Sequence, residues 1–422
     1  QTIAEELADG DAAVQANILA NLTTFFQTID SDGDAENGSV TIPDDIEFAN
    51  APDLLASLEM APMDFQMAFQ MAIDGAYPEG SEPTIVDSTE AMLRFYRNEL
   101  QGNWRLVSAT GGGETIASNA NRLTIAAARL DNSGGSIRQA GNQGLDITTT
   151  RLDGSKGTLV SAATLTLRAD EVDHRDATLG ADRFDLEAGT LDNTGGRIIA
   201  SGEGASRVKA TALGNAGGTL ASNGDLTLLA RTLDNSAGRI QHAGSGQLQV
   251  SAQALLGKGG SVLSNGSFVL DGASLDLSGA TTSARRVAIS ADTLTTAGGT
   301  LTATGDNALR LRVQGMLDNR GGSLASNGAL DVIAQQLNNA QGTLQGAGTG
   351  HSTLAIGQAL DNQKGRILLG GAGTVTAASL GNQGGTVHAG GSALVLGVDG
   401  RLDNGEQGLL SSTGMVTLDA GS

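Results

Sequence analysis

The sequence predicts a mainly β protein: a parallel β-helix of short coils, preceded by a small acidic α-helical domain. Three observations lead there. A Leu-x-Asn-x-Gly-Gly motif returns about every 21 residues through the last three quarters of the chain, and a fixed period of that length means stacked, near-identical units. Short alternating aliphatic runs lie between the motifs. Composition also breaks sharply near Arg105.

Residues 1–105 come first. They hold all five prolines (Pro43, Pro52, Pro62, Pro78, Pro83), both tyrosines (Tyr77, Tyr96) and Trp104, the single tryptophan. About 20 acidic and 3 basic side chains give this part most of the net charge of -21. The run Ala12–Phe26 lacks Gly and Pro, and Val14, Ile18, Leu22 and Phe25 recur in it at helical spacing. Leu54, Leu55, Leu58 and Met60 suggest a second helix, Asp64–Met71 a third and Thr89–Tyr96 a fourth, with prolines marking turns between them. The Met and Phe residues read as a small core, since Met fills the gaps between short helices.

One acidic turn, Asp30-Ser31-Asp32-Gly33-Asp34-Ala35-Glu36, resembles a calcium loop. Asp30, Asp32, Asp34 and Glu36 could supply oxygens to calcium. The EF-hand pattern asks for Gly at the sixth place and Glu at the twelfth, where this chain has Ala35 and Thr41. A solvated acidic turn is the competing reading. The domain could cap the first coil near Trp104 and Leu106, act as a recognition module, or be a fused partner.

Residues 106–422 are the repeats, and their charge is nearly balanced. The motif stands clearly at Leu130–Gly135, Leu191–Gly196, Leu213–Gly218, Leu317–Gly322 and Leu380–Gly385. The leucines of successive repeats fall at 130, 152, 191, 213, 233, 255, 275, 294, 317, 337, 360, 380 and 402, with a degenerate repeat near Val172. Within 213–232, Leu226 and Leu228 flank Thr227, the alternation of a strand with one buried face. Length differences are expected at one corner, short at Ser222–Asp225 and longer at Ser201–Ser206. One coil cannot bury its apolar face alone, so coils must stack at about 4.8 Å, and about 14 of them would extend on the order of 65 Å.

The asparagines of the motif are expected to sit in file at one corner: Asn132, Asn193, Asn215, Asn235, Asn319, Asn339, Asn362, Asn382 and Asn404. An amide carries both donors and acceptors, so equal amides can bond along the stack. Asn also tolerates the left-handed backbone of corners, and the neighbouring glycines permit a tight bend.

Leu-Asp-Asn-x-Gly-Gly, an aliphatic strand, Ala-Ser-Asn-Gly and Leu-Thr-Leu together resemble the filamentous haemagglutinin repeats. Such repeats build the stalks of two-partner-secreted exoproteins, including adhesins and contact-dependent growth inhibition effectors. The resemblance covers about residues 106–422. It implies a right-handed parallel β-helix, a secreted virulence factor at the surface of a Gram-negative cell, and an outer-membrane transporter as partner during secretion. The family's amino-terminal secretion domain, cell-binding tail and toxin are not found. The start at Gln1 and the last strand, Met415–Leu418, suggest a fragment whose natural chain continues.

Chemistry is sparse in the repeats. No run of 18 apolar residues offers a membrane span. The acidic balance disfavours nucleic acid. Cysteine is absent. His174, His242, His351 and His388 are far apart, and Arg285-Arg286 is a lone basic pair. Asp131, Asp192, Asp234, Asp318, Asp361 and Asp403 recur beside the Asn and read as a solvent-facing row at a turn. No catalytic or cofactor-binding residue is assigned. The expected function is a non-enzymatic stalk. The alternatives are a segment that itself binds a receptor or glycan, and a polysaccharide-active β-helix enzyme, which would need acidic and basic groups converging on one face.

Overall fold

The computed structural model describes residues 115–118 and 121–421. The helical runs, the acidic turn and the join at Trp104 lie outside the described residues. Among the described residues every regular element is a β-strand, and the strand registers described are all parallel. The repeats therefore form a β-solenoid. The chain divides into two compact units, residues 1–188 and 189–422.

In the first unit two stacks of strands run side by side. Thr115–Ser118 and Ser136–Gln139 stack with the first residues of Thr158–Asp173. Arg122–Asp131 and Gly144–Asp153 stack with its later residues. The register brings Leu130, Leu152 and Val172 into one buried column. The degenerate repeat at Val172 thus keeps its place, because the column asks only for an aliphatic side chain.

A coil of the second unit has three faces. Arg197–Ala200 forms the first, and the longer strand Ser206–Gly214 forms the other two. Within the longer strand inward Val208 and Ala210 alternate with exposed Arg207 and Lys209. Thr211 and Ala212 then both turn outward before Leu213 points in. That double step is the bend between the second and third faces. Ile198, Ala200, Ser206, Val208, Ala210, Leu213 and the corner Asn215 all point inward and are buried.

Each inward position continues through the stack. Leu213 pairs in register with Leu233, then Leu255, Leu275, Leu294 and Leu317. The column runs on through Leu337, Leu360, Leu380 and Leu402. Column order follows from the strand period of two: a slip of one residue would turn every leucine to solvent.

Length varies at a second place as well as at the expected corner, which corrects the single-corner expectation. Two residues separate Ala291 from Leu294, but three separate Val313 from Leu317, and the register shifts there. Gly315, Gly357 and Gly400 lie in these longer bends. The bend faces solvent, so an extra residue bulges outward while the inward columns stay aligned.

The two glycines of the motif have different causes. Gly217 takes φ 62°, the left-handed region, yet Ala237, Gln341 and Lys364 hold the same place at 51°, 59° and 54°. A side chain is tolerated there at some strain. The second glycine is a packing requirement. A Cβ on Gly218 would strike the Asn193 carbonyl and lie 2.8 Å from Asn215 Oδ1 and 3.0 Å from Asn193 Nδ2. Alanine stands at this place twice, at Ala177 and Ala280. In both cases the preceding corner residue is glycine (Gly154 and Gly257), which leaves no side chain to meet the extra methyl.

Candidate functional site

The corner is the feature that every coil shares. In the first unit its residues are Asn132, Gly154 and His174. Asn132 Nδ2 donates to the Thr158 carbonyl at 3.3 Å, and His174 is buried. In the second unit the corner runs Asn193, Asn215, Asn235, Gly257, Leu277, Thr296, Asn319, Asn339, Asn362, Asn382 and Asn404.

The amides bond directly along the stack. Asn193 Nδ2 donates to Asn215 Oδ1, and Asn215 Nδ2 to Asn235 Oδ1, both at 2.7 Å. After three corners without an amide the file resumes. Thr296 Oγ1 donates to Asn319 Oδ1 at 2.9 Å, and Asn319 Nδ2 to Asn339 Oδ1 at 2.8 Å. Asn339, Asn362 and Asn382 each donate to the next amide at 2.7 Å, ending on Asn404. Each amide also reaches backbone: Asn339 Nδ2 lies 3.3 Å from both the Gly342 and Arg366 carbonyls. Apart from Asn404 at the end of the file, these side chains are almost wholly buried, so each bond satisfies groups that water cannot reach.

The aspartates beside the corner hold the turn. Asp131 Oδ1 accepts the Ser133 N–H at 3.0 Å, Asp192 that of Thr194 at 2.9 Å and Asp234 that of Ser236 at 2.9 Å. Asp318, Asp361 and Asp403 accept the N–H groups of Arg320, Gln363 and Gly405 at 3.1, 2.9 and 3.1 Å. This is the local Asx turn that Asp and Asn favour. In the second unit the place before the corner reads Asp192, Gly214, Asp234, Leu256, Asp276, Thr295, Asp318, Asn338, Asp361, Gly381 and Asp403. Carboxylates occupy alternate coils. Their spacing is then about 9.6 Å, close to a Debye length, where adjacent coils would hold like charges directly opposite one another. In the first unit Asp131, Asp153 and Asp173 do stack on adjacent coils, with Arg175 bound to Asp173.

Arg175 is the main cause that holds the Asp173 carboxyl below the usual range. Burial works against ionisation of Asp318, but hydrogen bonds from Arg320 outweigh it and lower that pKa. The Gly405 N–H leads in lowering Asp403, with Arg401 and Gln383 adding to it. All three are therefore ionised at neutral pH, and their stabilising contacts are lost only as pH falls through these depressed values.

The remaining polar residues do not converge. His351 Nε2 meets Thr374 Oγ1 at 3.0 Å, and His388 Nδ1 meets Ser411 Oγ at 3.0 Å. His242 is buried against Ser264. Arg285 and Arg286 are exposed side by side on Thr281–Thr295. Asp30, Asp32, Asp34 and Glu36 lie outside the described residues. Among the described residues no three His, Asp or Glu side chains are placed to hold a metal. No helix there is long and apolar enough to cross a membrane.

One open groove in the second unit, of about 450 Å³, crosses four coils at the bend and is lined by Lys209, Leu229, Ser251, Gln253 and Asp271. It offers one carboxylate, whereas glycoside hydrolysis uses a pair. The described aromatics, Phe184 and Phe268, are both buried, so no described face presents a ring on which a sugar could stack.

Comparison with protein families gives six overlapping matches to the Haemagglutinin repeat model, at residues 98–150, 140–203, 202–254, 243–310, 306–364 and 349–422. No curated protein and no solved structure matches the chain.

Proposed function

Because the chain belongs to the haemagglutinin repeat family, we propose that it is a stalk segment of a large exoprotein, an adhesin or a contact-dependent growth inhibition effector. On this reading an outer-membrane transporter of a Gram-negative bacterium exports it, and the stacked coils hold a binding or toxic module away from the cell. The observation that carries the proposal is the uniformity of the corner. Coil after coil repeats one hydrogen-bonded turn, while the charged side chains stay dispersed. A spacer needs a repeated unit with a satisfied interior and has no need of a site. In this reading the Asn file is structural: it fixes the stacking register and seals the corner against water.

Two expected results follow. Deleting Asn319–Asp361 removes two whole coils and joins Asp318 to Asn362, so the corner sequence stays in phase. The shortened chain should fold with an unchanged circular dichroism shape, because each coil contacts only its neighbours. The parent chain should bind neither glycans nor outer-membrane proteins saturably in array and pull-down measurements. Saturable binding that survives removal of residues 1–105 would move the assignment to a receptor- or glycan-binding segment. Failure of the deletion variant to fold would contradict the modular spacer.

A further inference from the structure

Three features coincide in the coils between Asn235 and Asn319 of the second unit. The first is the broken amide file. Gly257, Leu277 and Thr296 stand where the other coils of the second unit carry Asn, so Asn235 Nδ2 is left with the Ser261 carbonyl at 3.4 Å. The second is a small apolar cavity of about 10 Å³ at that break, lined by Asn235, Ile240, Gly257, Phe268, Leu277 and Ala280. The third is a pair of buried polar atoms without a partner, His242 Nε2 and Thr282 Oγ1. Ile240, which lines the cavity, shares the strand Arg239–His242 with the histidine.

We propose that this stretch is an acid-sensitive seam, whose local opening increases as pH falls below 6.5 by proton uptake at His242 while the amide files on either side stay closed.

His242 occupies an inward column that Ala200, Ser222, Ser264 and Ala284 fill in neighbouring coils. It is 2% exposed. Its Nδ1 meets Ser264 Oγ at 2.8 Å. Its Nε2 lies against the loop after the strand, where a Cβ on Gly244 would be 3.0 Å from it. The strand Thr219–Ser222 presents Ser222 to it and Ser261–Asp276 presents Ser264. Of the strands after the adjoining loops, one opens on buried Leu226 and the other on exposed Gln247 followed by buried Leu248. Asp225, in the loop 223–225, is the one charged group that acts on the ring. Its Oδ1 already accepts the Gln247 N–H at 2.8 Å. Arg239, on the histidine's own strand, is exposed.

In the tautomer whose Nδ1–H donates to Ser264 Oγ, Nε2 is bare, and protonation would bury an N–H there with nothing to accept it. Burial accordingly pushes the His242 pKa below its ordinary 6.5, and Asp225 offsets this only in part. The sign follows from proton uptake. Well above pH 6.5 the ring is neutral in closed and open coils alike. Below it the open coil takes a proton that the closed coil refuses, so opening gains about tenfold per pH unit until the folded pKa is reached.

Hydrogen exchange of the full chain, read by mass spectrometry at pH 7.5 and 5.5 and corrected for intrinsic rates, tests this. Protection of amides 239–264 should fall between the two conditions, by up to about tenfold. Protection of amides 323–346 should hold. In His242→Gln and His242→Ser the fall should vanish. Ser264 fills the same column in the next coil, and Gln139 holds the equivalent place, four residues after the second motif glycine, in a coil of the first unit, so both replacements are accommodated. Equal protection at the two pH values overturns the proposal. So does an equal fall in His242→Gln, or a fall spread evenly over the second unit.

Discussion

Leu344→Ala should destabilise the second unit by about 2–5 kcal/mol, the usual cost of a leucine cavity in a core that cannot collapse. Leu344 is fully buried, and in register it lies between Leu324 and Ile367, both also fully buried. The solenoid gives the cavity no easy way to close. Backbone hydrogen bonds fix each coil to the coils above and below, so neighbours cannot move inward without breaking register. Thr343, the adjacent residue, points outward, and Thr343→Ala should cost under about 0.5 kcal/mol. Urea unfolding followed by circular dichroism distinguishes the two. Equal midpoints would show that the column is not a core.

Asn319→Ala should cost about 1–3 kcal/mol, for a different reason. Alanine here leaves the Thr296 hydroxyl without its 2.9 Å acceptor and Asn339 Oδ1 without its 2.8 Å donor. Both are buried, and no water replaces the lost partner. Asn327 is the control. Its amide donates to the Thr304 carbonyl at 2.7 Å on the exposed surface, where water substitutes. Asn327→Ala should therefore melt close to the parent. An Asn319→Ala chain with unchanged melting would remove the buried amide file from the account.

The leucine column could be read from the sequence because its spacing absorbs every insertion. Repeats of different length still deliver a leucine to the same inward place, as the Leu294, Leu317 and Leu337 register shows. The three faces were harder to see. The bend between the second and third faces leaves only two outward residues in succession, such as Thr211 and Ala212, and this resembles ordinary irregularity in a strand. The extra residues at Gly315, Gly357 and Gly400 were visible as longer spacings but not as a second site of insertion.

At the corner, recurrence alone picks out the Asn, the Asp and the two glycines. It does not separate their causes. The difference between the glycines becomes apparent only from their substitutes: Lys, Gln and Ala at the first, alanine at the second only after a glycine corner. The pairs Gly154/Ala177 and Gly257/Ala280 carried that signal in the sequence. The aspartates recur for the turn they close, and their exchange with Asn338 marks the same role, since Asn338 Oδ1 accepts the Ala340 N–H at 3.1 Å. His242 had no sequence signal, because a lone histidine among Ser and Ala reveals neither its burial nor its unpartnered nitrogen.

Successive coils stack in parallel with one fixed register. The absence of native cysteine makes this directly measurable. Ser323 and Thr343 are register partners, outward on adjacent coils. A Ser323→Cys/Thr343→Cys chain should close a disulfide in full yield under mild oxidation, while Ser323→Cys/Gln345→Cys, offset by two residues, lies beyond the reach of the bond and should stay reduced. Failure of the first pair to close, or equal closure of both, would contradict the stacked solenoid.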